Sequence, residues 1–80
     1  PTAAMAASAA PAAASALADA VDDPGLRADI ATDTGLLAEE RGAWSEALPH
    51  YRLALNLRQA QGDPAGTAAA SLNLGFALAR

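Results

Sequence analysis

An Asp-Pro pair occurs twice in this chain, as Asp23-Pro24 and again 40 residues on as Asp63-Pro64. Laid on itself at that offset, the chain also matches Ala28 with Ala68, Gly35 with Gly75 and Leu36 with Phe76. Single Ala matches carry little weight in an Ala-rich sequence, but Asp-Pro and Gly in one register are not helix-propensity noise. A period of about 40 residues lies in the range of helical repeats, where each unit is a helix pair that cannot bury its apolar face alone. The 80 residues have room for about one and a half such units behind a leading segment.

Local signals divide each unit into helix, tight turn and helix. Asp22-Asp23-Pro24 supplies side-chain oxygens and a fixed φ at a helix start, and Asp63-Pro64 does the same. Helices are therefore predicted near Gly25 to Arg41 and Ala65 to Arg80. Gly42, after Glu39-Glu40-Arg41, suits a left-handed C-terminal cap, so a middle helix opens at Trp44 and stops near Gln61, before Gly62. That helix carries Ala47, Leu48, Tyr51, Ala54, Leu55 and Leu57 at three-to-four spacing, a helical stripe rather than a strand's alternation. Pro49 falls early enough to be tolerated, with a small bend expected. The predicted fold class is all-α, an antiparallel array, with Gly35 at a close helix contact and Tyr51 and Leu55 in the core.

Residues 1–11 are Ala, Ser, Pro and Thr with Met5, too small and uniform to build a core, and are expected to be frayed or disordered. Residues 12–80 form the predicted helical part, beginning with a short Ala-rich helix after Pro11 that runs to about Val21. A secretory leader is not expected, because the positively charged start and the Leu-rich stretch are missing. No run approaches the roughly 20 apolar residues of a membrane span.

Composition narrows the chemistry. One each of Met, Trp, Tyr and Phe rules out a large aromatic pocket, and zero Cys removes disulfides, thiolate metal sites and thiol nucleophiles. Five basic residues, all Arg, against nine acids leave a net charge of −4, the wrong sign for neutralising nucleic-acid phosphates. His50 is the sole histidine and has no partner for a metal set; it reads as a surface imidazole. Ser45 and Ser71 lack a nearby base, the glycines follow no phosphate-binding pattern, and Glu39-Glu40 and Asp19, Asp22 and Asp23 read as helix-end and solvated charges. Trp44 and Tyr51, two turns apart, read as packing side chains. Neither catalysis nor a cofactor is expected.

From about Leu17 to Arg80 the chain resembles the tetratricopeptide repeat family, in the long form seen in kinesin light chains and Pins/LGN-type scaffolds. The resemblance rests on Gly35, on the small-aromatic-small series Ala47, Tyr51 and Ala54, on the Gly-Asp linker before Pro64, and on Asn73-Leu74-Gly75 within SLNLGFALAR. Ala31 stands where many repeats place Trp, and Thr34 where they prefer Leu, which suggests a looser, terminal unit.

What the resemblance implies is an α-solenoid fragment whose first helices line a peptide-binding groove: Asp29, Asp33, Leu36 and Glu40 from one unit, Leu72, Asn73 and Phe76 from the next. Asn73 would either grip ligand backbone or tie neighbouring helices. The basic clamp for C-terminal carboxylates is absent, since Asp29, Thr32 and Asp33 hold those positions. The expected function is a non-catalytic interaction module of a cytoplasmic regulatory or scaffold protein, taking a peptide or helix with basic and apolar residues. The alternative is structural self-association, in which an uncovered last helix exposing Leu72, Leu74, Phe76 and Leu78 drives homo-oligomers or array assembly.

Overall fold

A computed structural model describes residues 22–80, all of whose regular structure is helical: α1 Pro24–Glu40, α2 Trp44–Ala60 and α3 Pro64–Leu78. The Ala-rich segment and the helix expected up to Val21 lie outside the described residues. The helix starts follow from the Asp-Pro pairs. The Asp23 carboxylate accepts from the Gly25 and Leu26 amides, that of Asp63 accepts from the Gly66 amide, and the proline takes the first helical position, where no amide is needed. The helices thus begin one residue earlier than expected, because each proline is itself helical.

Both helix ends close in the same way. Gly42 and Gly62 have φ of 74° and 65°, the left-handed region that costs glycine nothing. The Gly42 amide donates to Glu39 O at 2.8 Å and the Ala43 amide to Ala38 O at 2.8 Å. The Gly62 amide donates to Gln59 O at 3.0 Å and the Asp63 amide to Arg58 O at 3.1 Å. These are paired Schellman closures, and each satisfies carbonyls that the helix end would leave without donors. Three-residue connections then turn the chain back on itself. Helix α2 continues through Pro49, which is exposed, so water can reach the carbonyl left without its donor.

Helix α2 packs against both neighbours. Arg58 near its end meets Asp29 near the start of α1, and Trp44 at its start meets Arg80 beyond the end of α3, so both neighbours run antiparallel to α2. The buried side chains are mostly alanines: Ala28, Ala31 and Ala38 on α1, Ala47 and Ala54 on α2, Ala70 and Ala77 on α3. Methyl groups let the helices approach closely but each contributes little transfer energy, at roughly 25 cal/mol per Å². Tyr51, 1% exposed, is therefore the dominant buried group. It belongs to a cluster with Ala38, Ala47, Leu74 and Ala77 that ties all three helices together.

Two expectations need adjustment. Leu55 is half-buried at the rim of that cluster, because the three-helix layer has too little depth to enclose it. Leu74 is buried, since α2 covers one face of α3; the uncovered face holds Leu72, Phe76 and Leu78.

Candidate protein-interaction surface

The α1 residues Asp29, Asp33, Leu36 and Glu40 are spaced by four, three and four and so share one stripe of the helix. All four are exposed. On α3, Leu72 and Phe76 are 60% and 64% exposed, and Asn73 beside them is half-buried. The side chains that offer surface to a ligand are therefore three acids on α1, three apolar groups divided between α1 and α3, and one amide.

The acids are not equivalent. Asp29 accepts a hydrogen bond from the Arg58 guanidinium of α2, while Asp33 and Glu40 form no ion pair among the described residues. Arg58 also lies 4.0 Å from Asp63, and its side chain is only 20% exposed, which places it at the seam where α1, α2 and the second turn meet. Its role was not legible beforehand: the Asp29–Arg58 pair spans 29 residues, beyond any local spacing rule. Arg41 and Glu46 pair at 3.1 Å across the first turn with both side chains 66% exposed, a contact worth little in water. Asn73 makes no side-chain hydrogen bond among the described residues, so its amide retains both donor and acceptor capacity.

A second apolar stripe was also missed. Leu26, Ile30 and Leu37 are exposed on α1, spaced four and seven apart on a face distinct from the Ala28, Ala31, Gly35 and Ala38 stripe that meets α2. A helical-period count for α1 by itself would have shown apolar residues on two sides, the mark of a helix built to be covered twice.

Tyr51 is the one described group with a strongly altered titration. Burial, and then the Glu39 carboxylate beside it, hold its phenol protonated well above the usual range. Glu39 is near enough to act on the hydroxyl, yet the buried oxygen has no hydrogen-bond partner among the described residues. No set of three or more potential metal ligands occurs among the described residues. No described helix is long and apolar enough to cross a membrane. The shallow depression at the second turn, lined by Gln59, Gly62, Asp63, Pro64, Thr67 and Ala68, opens broadly to solvent and gathers no chemistry.

Comparison with family models, curated proteins and solved structures finds no match to this chain. A functional reading therefore rests on the surface itself.

Proposed function

We propose that this chain is a non-catalytic interaction module, a tetratricopeptide-like fragment of a helical solenoid that belongs to a cytoplasmic scaffold or regulatory protein. The observation that carries the reading is the exposed stripe of Asp33, Leu36 and Glu40 on α1, fixed charge beside an uncovered apolar side chain, together with the exposed Leu72 and Phe76 that α3 presents. A peptide or helix with Arg or Lys beside apolar anchors complements that surface. Repeated capping by Asp23-Pro24 and Asp63-Pro64, and repeated closure at Gly42 and Gly62, support the array reading.

The test is a titration of the chain with a fluorescent helical peptide that carries Arg residues beside Leu anchors, at two salt concentrations. The double variant Asp33→Asn/Glu40→Gln should weaken binding several-fold and flatten the salt dependence, because exposed pairs are screened over roughly 8 to 10 Å. Asn73→Ala should weaken it about fivefold, the equivalent of about 1 kcal/mol, without changing the salt slope. Parent-like affinity and salt slope in both variants would remove this surface from the reading.

A further inference from the structure

Helix α3 receives α2, the helix before it, on Ala70, Leu74 and Ala77. Gly66 belongs to the same stripe, since a Cβ there would lie 2.8 Å from Arg58 Cδ of α2. Shifted back by the 40-residue period, Gly66, Ala70, Leu74 and Ala77 become Leu26, Ile30, Thr34 and Leu37 on α1. These form the second apolar face of α1, with Leu26, Ile30 and Leu37 43%, 40% and 58% exposed and Thr34 half-buried between them. No described helix covers that face. By the repeat, it is the place where α1 receives the helix that precedes it.

Side-chain size is inverted at every one of the four positions. On α3 the stripe is small except at Leu74; on α1 it is large except at Thr34. To the small face α2 brings bulk: Tyr51 clusters with Leu74 and Ala77, and Trp44, Leu48 and Leu55 pack against the cluster. The large face of α1 calls for the converse, a helix of small side chains with one larger group for the dip at Thr34.

We propose that residues 12–21 of this chain are that helix, and that they dock antiparallel on Leu26, Ile30 and Leu37. The segment AAASALADAV has alanine at six of its ten positions and Leu17 near its middle. At about 100° per residue, Ala13, Leu17, Ala20 and Val21 fall on one side and Ser15 and Asp19 on the other. Alanine has the highest helix propensity, and Pro11 suits the first turn. Ten helical residues span about 15 Å, against about 16 Å from Leu26 to Leu37. Asp22 and Asp23 leave a return as short as those between the described helices. Asp22 stands in the place of Gly62, and aspartate is one of the few side chains that tolerate a left-handed turn. The docking is independent of the ligand surface proposed above, with which it shares no residue.

Residue-resolved amide hydrogen exchange of the whole chain tests it. Amides of residues 15–21 should exchange at least about tenfold more slowly than in an isolated peptide of residues 1–21. The double variant Ile30→Gln/Leu37→Gln replaces exposed side chains with polar ones of good helix propensity, and should return those amides to the peptide's rate while α2 and α3 stay protected. Leu17→Gln should do the same from the other side of the contact. Leu36→Gln, on the ligand surface, should leave the protection unchanged. Exchange at the peptide's rate in the parent overturns the proposal, as does protection that survives Leu17→Gln or the double variant. Protection that grows with chain concentration also overturns it, and would make a second copy the occupant. Should the double variant loosen α2 and α3 as well, Leu17→Gln, which leaves α1 to α3 intact, decides.

Discussion

Helices α1 and α3 begin with the same Asp-Pro cap and carry glycine at the same register position, yet one presses its glycine against a tyrosine and the other presents it to solvent. The difference teaches that local sequence sets where a helix starts and how it ends, whereas the worth of a residue within it depends on what arrives from outside. Gly35 is required by a ring in contact. Gly75, in the same helical conformation with open space around it, leaves only the lower helix propensity of glycine as a consequence.

The largest expected effect removes the ring that makes the two faces differ. Tyr51→Ala deletes the dominant buried side chain and should cost about 3 to 5 kcal/mol, comparable to the whole stability of a domain this small. Loss of a cooperative thermal transition by circular dichroism checks it; a melting temperature close to the parent's would show that the ring is not the keystone of the cluster.

Substituting the glycines should give opposite signs. Gly35→Ala forces a methyl into the tyrosine ring and should cost about 1 to 3 kcal/mol, while Gly75→Ala should stabilise by up to about 1 kcal/mol through helix propensity. Denaturant melts of the pair measure the contrast directly. Equal shifts of the same sign would mean that the two faces are covered alike in solution.

The caps should behave as equals where the glycines do not. Asp23→Ala and Asp63→Ala each remove a side-chain acceptor from the first turn and should each cost about 1 kcal/mol. A much larger loss for Asp63 would show that its position 4.0 Å from Arg58 matters beyond capping.

The smallest effect at neutral pH belongs to Tyr51→Phe. The hydroxyl it removes has no hydrogen-bond partner, so stability near pH 7 should change by less than about 1 kcal/mol. The contrast appears in alkali. Because the folded state holds the phenol above its ordinary pKa of 10.0, this contribution is fully present below about pH 10 and is lost as pH rises beyond it. The chain has no Lys or Cys and a single Tyr, so tyrosinate absorbance reports Tyr51 alone. Tyrosinate absorbance should therefore emerge together with unfolding, and Tyr51→Phe should resist alkali better. An ordinary phenol titration with the helices intact would show that the ring is open to solvent.

Reading the sequence by itself reached the all-α class, the three described helices to within two residues at each end, the left-handed turn at Gly42, a close helix contact at Gly35 and the burial of Tyr51; that these two meet each other came only from the structure. These are legible because capping oxygens, proline φ, glycine handedness and a 3.6-residue period act within a few residues of chain. Depth of burial was not legible. Leu55 and Leu74 are both leucines on apolar stripes, and only the placement of α2 across α3 made Leu74 a core residue and left Leu55 at the rim. Charge pairing was hidden for the same reason: Asp29 and Asp33 look alike in sequence, and only the antiparallel return of α2 brings Arg58 to the first and not to the second. The sequence determined the elements and their boundaries, because those follow from nearest-neighbour backbone chemistry. The tertiary structure decided which of two similar faces is filled, since that depends on long-range contacts that no local pattern encodes.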